Sequence, residues 1–559
     1  STIPFVVNTG LCDIFVGPFA GNGTMTGSDN TGMGCHSLEA VTTGDGNSGF
    51  GSHTLPANTT GSNNVAIGSN SMLNNISGDE NIAIGLATLM TNTTGSNLVA
   101  VGTSALTANT TGTGNTALGN RAMTANVDGS SNTAVGDAAM ASNSSGINNT
   151  AVGASALNAV ISGNGNTAVG VNCLLNTTAS SNSGLGFNAL GNNSTGAQNC
   201  ALGVSSLQGN VSGANNVAIG MNALQSNVSG ADNTAVGFNA LNSTATTQQN
   251  TAVGSGALQA NLIDGMTAVG YRALFANGLG SQNTAVGHQA LTANTTGDAN
   301  VAVGGAAMGS NITGNNCTAV GNNAMFTNNA NDNTAVGTQA LSANSSGTLN
   351  TAIGVNTMEA NISGISNTAV GSNSLRAILV GNHCTAVGNN ALLLNTASSS
   401  TAVGSRALAA NSTGTPNTAV GFQAMLVNET GNNNVAVGSN ALATNFSTNN
   451  NVAIGTNSLL LNIATGNTAV GFSSLAANTT GTTNTANNST AVGNNALTLA
   501  TAANNTAVGA TSMSATVAGT NNVALGFNTL STNVSGSTNV AAGVNALATA
   551  TVSNNTAVG

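Results

Sequence analysis

A short pentad of the form Asn-Thr-Ala-Val-Gly recurs along almost the entire chain and constrains the fold more than any other feature. Its closing glycines are evenly spaced in one long run: Gly68, Gly85, Gly102, Gly119, Gly136, Gly153 and Gly170. Counting back at the same spacing reaches Gly51, Gly34 and Gly17, and the sequence contains 33 such glycines. A repeat of fixed period indicates a solenoid, in which each unit packs only on its neighbours.

The repeated unit reads Asn-Thr-Ala-Val-Gly-x-Asn-Ala-Leu-x-x-Asn-x-Thr-Gly-x-x, as in residues 149–165. It holds two short extended segments, each followed by glycine or by a cluster of Asn, Ser and Thr. Helical repeats need roughly 30 or more residues, and Gly, Asn, Thr and Val disfavour helix. The sequence therefore predicts an all-β fold, a parallel β-solenoid (β-roll) of about 33 coils with 16–17-residue repeats. Coils stacked about 4.8 Å apart give a length on the order of 160 Å.

A longer period lies on top of the short one. Several coils are one residue shorter than the rest, as between Gly254 and Gly270. Most of these short coils recur every 67 residues, which indicates a super-repeat of four coils. Cys317 and Cys384 are one super-repeat apart, and the coil after a short one often begins unusually, as at Tyr271-Arg272. One coil is lengthened, between Gly471 and Gly493, which predicts a surface bulge around residues 482–489.

The chain divides by sequence into three parts. Residues 1–20 form an apolar and aromatic N-terminal cap or docking segment, residues 21–63 form variant first coils, and residues 64–559 form the regular solenoid.

Aliphatic residues recur just before the closing glycine and four residues after it. Stacking predicts that they form two core ladders, with members Val135, Val152, Val169 and Leu157. The alanine in the middle of the pentad, as at Ala134 and Ala151, then points outward, and a neighbouring copy of the chain is expected to pack on it. The alternative is that the alanine face is itself a thin interior, with Thr and Val outside.

Asparagine recurs at two other places in each coil. It opens the pentad and returns seven residues after the glycine, as at Asn132, Asn149, Asn166, Asn109 and Asn126. Identical Asn side chains in stacked strands hydrogen-bond along the stack, so we predict two inward ladders. The second Asn often lies in an N-glycosylation sequon, and a glycosylated surface is the alternative at the same residues.

Charge is scarce, with 4 basic and 14 acidic side chains in 559 residues. This balance excludes the basic face that a nucleic-acid-binding protein needs. No apolar run approaches the roughly 20 residues of a membrane span. The scattered acidic residues form no facing pair for acid–base chemistry. We therefore expect no catalytic, cofactor-binding or metal-binding residues, and no enzymatic activity.

Two smaller groups leave alternatives open. His36 and His53 occupy the same phase of adjacent coils beside Cys35, which favours stacked ladder residues over a metal site. The cysteines are interpreted as small buried residues, although Cys12 and Cys35 could form a disulfide at the N-terminal end.

Both ends of the chain hold candidates for assembly contacts, namely Phe5, Phe15, Phe19 and Val558. The sequence stops on an Asn-Thr-Ala-Val-Gly pentad without a cap, and an exposed sheet edge invites pairing with another chain. We expect copies of the chain to associate head to tail, laterally, or both.

Pentads such as those at residues 64–68 and 451–455, both Asn-Val-Ala-Ile-Gly, resemble the head repeats of trimeric autotransporter adhesins. The longer unit is similar to repeats in phage tail-fibre proteins and large secreted microbial proteins. These resemblances imply a left-handed β-roll, homotrimers, surface fibres and adhesion.

Uniform coils, scarce charge and few trypsin sites favour a structural subunit of an extracellular fibre or filament, at a cell or virion surface. The first alternative is a surface adhesin or a tail-fibre shaft. The second is an ice-binding solenoid, which requires the threonines to face outward. Its threonine ladder is interrupted by Cys200, Val217 and Val301.

Overall fold

The computed structural model describes residues 5–8, 12–476 and 484–559. It shows a parallel β-solenoid of about 32 turns, with 33 parallel strands spaced about 17 residues apart, which confirms the predicted fold class. Within the described residues there is no helix, and hence none long and apolar enough to cross a membrane. The chain forms two compact units, Ser1–Leu279 and Gly280–Gly559.

The first unit contains seventeen strands. They are β1 Phe5–Asn8, β2 Asp13–Val16, β3 Thr31–Met33, β4 Ser48–Phe50, β5 Val65–Ile67, β6 Ile82–Ile84, β7 Val99–Val101, β8 Thr116–Leu118, β9 Thr133–Val135, β10 Thr150–Val152, β11 Thr167–Val169, β12 Ser183–Leu185, β13 Cys200–Leu202, β14 Val217–Ile219, β15 Thr234–Val236, β16 Thr251–Val253 and β17 Thr267–Val269. Strand β1 pairs antiparallel with β2, and the later neighbours pair in parallel.

The second unit contains the remaining strands, all of three residues. They are β18 Thr284–Val286, β19 Val301–Val303, β20 Thr318–Val320, β21 Thr334–Val336, β22 Thr351–Ile353, β23 Thr368–Val370, β24 Thr385–Val387, β25 Thr401–Val403, β26 Thr418–Val420, β27 Val435–Val437, β28 Val452–Ile454, β29 Thr468–Val470, β30 Thr490–Val492, β31 Thr506–Val508, β32 Val523–Leu525, β33 Val540–Ala542 and β34 Thr556–Val558.

Each coil contributes one strand, so the prediction of two extended segments per repeat is wrong. The residues two and four places after the closing glycine have left-handed backbone, for example Ser155 at φ 55° and Leu157 at φ 51°. Left-handed residues end an extended segment. Hydrogen bonding between coils nevertheless continues through the turns, because the Leu157 N–H donates to the Cys173 carbonyl at 3.0 Å.

The strands stack in residue register, so that like residues form columns. Thr150 pairs with Thr167, and Ala151 pairs with Ala168. Because alternate residues of a strand face opposite sides, the middle alanine points to one side and its two neighbours point to the other. In β10 the alanine is fully buried, whereas Val152 is 37% exposed.

The predicted valine core ladder is therefore wrong, and the alternative with alanine inside is right. The residues concerned are Val135, Val152, Val169, Ala134 and Ala151. The error has a physical cause. Left-handed residues turn the chain after the strand, so the inward and outward alternation of side chains in a strand does not continue from the valine to the leucine. Leu157 is fully buried, which confirms that its column belongs to the core.

Five columns fill the interior of each coil. Numbered from the closing glycine, they are the asparagine at −4, the alanine at −2, the alanine at +3, the leucine or methionine at +4 and the asparagine at +7. All five are buried in the repeat built on Gly119, whose members are Asn115, Ala117, Ala122, Met123 and Asn126. The interior is thin, because small side chains occupy two of its five positions.

The closing glycines are required for two separate reasons. Gly153 has φ +134°, a conformation that side-chain-bearing residues rarely adopt, and a Cβ built on it lies 2.5 Å from the carbonyl oxygen of Gly170 in the next coil. Close approach of neighbouring backbones and the backbone angle thus both select glycine.

The shortened coils lose one residue at a single corner. In a regular coil the amide of the +7 asparagine donates to the carbonyl of the glycine at +10, whereas in the four short coils that keep this asparagine it donates to the residue at +9. The four pairs are Asn261 with Ile263 at 2.6 Å, Asn328 with Ala330 at 2.8 Å, Asn395 with Ala397 at 2.7 Å and Asn462 with Ala464 at 2.8 Å. The predicted bulge in the lengthened coil falls partly on residues 477–483, which lie outside the described residues.

Candidate functional surface

The first asparagine column forms a buried hydrogen-bonded ladder, as predicted. The Asn149 backbone N–H and its Nδ2 both donate to Oδ1 of Asn132 in the preceding coil, at 3.0 and 3.2 Å. The same Nδ2 also donates across the coil to the Gly163 carbonyl at 2.8 Å. Asn166 repeats the pattern on Asn149. Each asparagine amide therefore forms hydrogen bonds both to a neighbouring coil and within its own coil.

The second column converges on the same glycine carbonyls. Asn126 Nδ2 donates to Oδ1 of Asn109 at 2.8 Å and to the Gly129 carbonyl at 3.0 Å. Gly129 also accepts from Asn115 Nδ2 of the first column, at 2.7 Å. A Cβ on Gly129 lies 2.5 Å from Asn126 Oδ1, so only glycine leaves room for this brace. We call these two asparagines and their glycine the amide brace.

The ladder prediction is thus confirmed at Asn109 and Asn126, and the sequon alternative does not fit these residues. Asn109 is fully buried, and its Nδ2 donates to Asn92 Oδ1 at 2.8 Å and to the Gly112 carbonyl at 3.1 Å. An N-linked glycan requires that same nitrogen to face solvent.

The ladder ends where a coil lacks the second asparagine. The buried Oδ1 atoms of Asn143 and Asn227 receive no hydrogen bond. In the next coil the column position after Asn143 holds Val160, and the one after Asn227 holds Thr244. The Thr244 hydroxyl donates instead to the Leu241 carbonyl of its own coil. Unsatisfied buried oxygens cost about 1–3 kcal/mol each.

The outer side of the strands carries two columns that we call the outer face. It consists of the residues at −3, mostly threonine and valine, and the aliphatic residues at −1. Strand geometry places the two columns about 6.6 Å apart and successive coils about 4.8 Å apart. No position in either column holds a charged residue in any coil. Each unit therefore presents a regular and uncharged array of hydroxyl and methyl groups.

In part of the first unit a third apolar column is exposed on the surface. Five consecutive coils carry a large exposed residue just after the closing glycine, each 45–49% exposed: Val171, Phe187, Val204, Met221 and Phe238. Large contiguous apolar surfaces of this kind mark interaction sites in soluble proteins.

The proposed assembly residues at the ends differ in their surroundings. Phe15 is only 3% exposed and occupies the alanine position of the first coil, where Gly21 and Gly32 leave space for its ring. Its assignment as an assembly contact is therefore wrong, because the ring fills the core. Phe19 is 67% exposed and is available for contacts, and Val558 in the last strand is 84% exposed. The side chain of Phe5 lies outside the described residues.

The two histidines stack as predicted. The rings of His36 and His53 are 4.8 Å apart, Phe19 stacks on His36 at 4.7 Å, and His36 Nδ1 lies 2.7 Å from Glu39 Oε2. Among the described residues, no three His, Cys, Asp or Glu side chains are grouped for metal binding. The Cys12 and Cys35 thiols are free, so the disulfide alternative is not the one that the structure adopts.

Several features of the site were absent from the sequence reasoning. They include the buried alanine column at +3, the meeting of both asparagines on one glycine carbonyl and the left-handed leucines. The first two had a signal in the sequence, since alanine recurs at +3 and the glycine at +10 follows the second asparagine by three residues in a regular coil.

No known protein family matches this chain, and no curated protein sequence matches it.

The broken ladder gives a direct test of the amide brace. We expect Val160→Asn to stabilise its coil by about 1 kcal/mol, because the new amide donates to the unpaired Asn143 oxygen. Amide hydrogen exchange across residues 143–166 should slow in the variant.

Val160→Leu is the matched control, since it keeps the site apolar. Slower exchange in Val160→Leu, or unchanged exchange in Val160→Asn, would contradict a stabilising role for the amide.

Proposed function

We propose that this protein is a structural rod subunit of a fibre, and that copies of it associate laterally through the outer face. The observation that carries the proposal is the uncharged array at −3 and −1, displayed on coils that the amide brace holds in register. A repetitive solenoid suits a rigid structural role, because each coil is supported by both neighbours.

The size of the outer face supports an interface between copies. Sixteen coils at about 4.8 Å, with a face about 10 Å wide, give about 800 Å² for one unit. A stable protein–protein interface buries about 800 Å² on each partner. The absence of charge in both columns removes the main desolvation cost of covering this surface.

An extracellular location, at a cell or virion surface, is part of the same proposal. The chain has no lysine and only four arginines, so it offers very few sites to trypsin-like proteases. A fibre outside the cell gains directly from that composition.

Charges placed on the outer face test lateral association. We expect the triple variant Val403→Glu, Val420→Glu and Val437→Glu to remain folded but to lose self-association, because each carboxylate must be desolvated in a covered face. Sedimentation velocity measures the associated fraction, and circular dichroism checks folding.

The control puts three glutamates on the same coils at exposed positions away from the outer face: Thr413→Glu, Thr430→Glu and Ser447→Glu. Equal loss in both triples, or association that survives the outer-face triple, would contradict lateral packing through this face.

A second candidate function, ice binding, gains support from the orientation of the threonines. Thr150 and its equivalents are half-buried on the outer side, next to the exposed aliphatic column, so hydroxyl and methyl groups alternate at fixed spacings. In the second unit this threonine column runs without interruption through seven strands, β20 to β26.

Thermal hysteresis separates the two functions. If the outer face orders water as ice does, the intact chain should show hysteresis, and Thr351→Glu with Thr368→Glu should remove it by placing charges in the array. The rod function predicts no hysteresis in the intact chain, and that result would eliminate ice binding.

A further inference from the structure

A small cleft in three consecutive coils of the first unit departs from the repeat. Three aromatic residues, Phe238, Tyr271 and Phe275, line it together with polar side chains, and its volume is about 290 Å³. The chain has only 12 Phe and 1 Tyr, so three of its thirteen aromatic residues surround this cleft. The size is close to the lower end of the range for small-ligand sites.

The cleft exists because one column loses its side chain. The position two residues after the closing glycine carries Asn239 and Arg272 in the flanking coils, and Gly256 lies between them as the one glycine of that column. A Cβ on Gly256 lies 3.4 Å from the Phe275 ring, 3.5 Å from Arg272 Cγ and 3.5 Å from Gln259 Oε1. Aromatic, cationic and amide groups therefore converge on the space above this glycine.

Arg272 has the arrangement of a ligand-binding guanidinium. Its Cζ lies 4.6 Å from the Phe275 ring centroid and 5.7 Å from that of Tyr271, so the guanidinium is within cation–π distance of both rings. Within the described part of the chain, no carboxylate is within ion-pair distance of it. By contrast, Nε of Arg376 in the second unit lies 2.7 Å from Glu359 Oε2.

These groups match the chemistry of an acidic sugar. Aromatic rings offer flat apolar surfaces for the C–H face of a pyranose ring, and Asn239 and Gln259 offer amides to its hydroxyl groups. A guanidinium whose N–H edge is available binds a carboxylate in two parallel hydrogen bonds. A nucleic acid would require a basic surface, and this chain has four cations in all.

We propose that the cleft around Gly256 binds a hexuronate unit of an acidic polysaccharide, with Arg272 on the carboxylate and the aromatic side chains against the sugar ring. The site requires only these three coils and is independent of lateral association. It would attach the chain to a polysaccharide matrix.

The chain contains a probe for this site. Tyr271 is its one tyrosine and there is no tryptophan, so tyrosine fluorescence reports on the cleft alone. Titration of the full chain with a galacturonate disaccharide should change this emission saturably. The methyl ester of the disaccharide, which lacks the charge, should bind about tenfold more weakly because it loses the charge-assisted pair.

Two variants locate the binding. Gly256→Asn fills the cleft with a residue that the same column uses in neighbouring coils, and it should reduce affinity at least tenfold while circular dichroism stays unchanged. Ser205→Asn, in the same column three coils earlier, is the matched control and should leave affinity unchanged. Arg272→Gln should lower the affinity for the acid to that of the ester.

Three results would overturn the proposal: no saturable change in emission with the acidic disaccharide, equal affinity for acid and ester, or full affinity in Gly256→Asn. If Gly256→Asn fails to fold, Arg272→Gln decides the question, because its exposed side chain takes no part in the core.

Discussion

The amide brace is the interaction on which the rest of this structure depends. A narrow solenoid has little apolar mass to bury, so its stability requires that the polar groups inside it be paired. Two asparagine amides and one glycine carbonyl meet this need in the coils that carry all three residues, and the amides also bond to a neighbouring coil. In four short coils the second asparagine keeps a bond within its own coil by donating to the residue at +9 instead of the glycine at +10, as at Asn328 and Asn395. That bond therefore survives where the repeat length changes, although Cys317 and Cys384 replace the first asparagine in two of these coils.

The brace also determines what the surface presents. Because amides, alanines and one leucine column occupy the thin interior, the β-branched residues of each strand remain outside. A column that would be core in a globular domain becomes an exposed, uncharged array here. Both candidate functions, lateral packing and ice binding, use this array, and they differ in whether its partner is another chain or ordered water. The polysaccharide cleft arises separately, where the loss of one side chain opens the surface.

The period, the parallel solenoid and the asparagine ladders followed from the sequence because each depends only on which residues recur and how far apart. The outward orientation of the Val152 side chain did not follow from the sequence. The backbone between the strand and Leu157 includes left-handed residues, and the alternation of inward and outward side chains stops there. Asparagine is common two residues after the closing glycine, and asparagine there is a signal for left-handed backbone. Leucine four residues after the glycine carries no such signal. The cleft required three coils to be placed side by side, because Gly256, Arg272 and Gln259 belong to different columns or different coils.

Native thiols offer the most direct measurement of the central claim, that alanine and asparagine columns lie inside while the threonine column lies outside. Cys200 occupies a threonine position and is exposed, whereas Cys317 and Cys384 occupy asparagine positions and are buried. Burial also raises the pKa of the Cys173 thiol, at an inner alanine position, to about 12. Alkylation of the folded chain near neutral pH, mapped by mass spectrometry, should modify Cys200 and spare Cys173, Cys317 and Cys384. Protection of Cys200 together with modification of the other three would contradict this assignment of inside and outside.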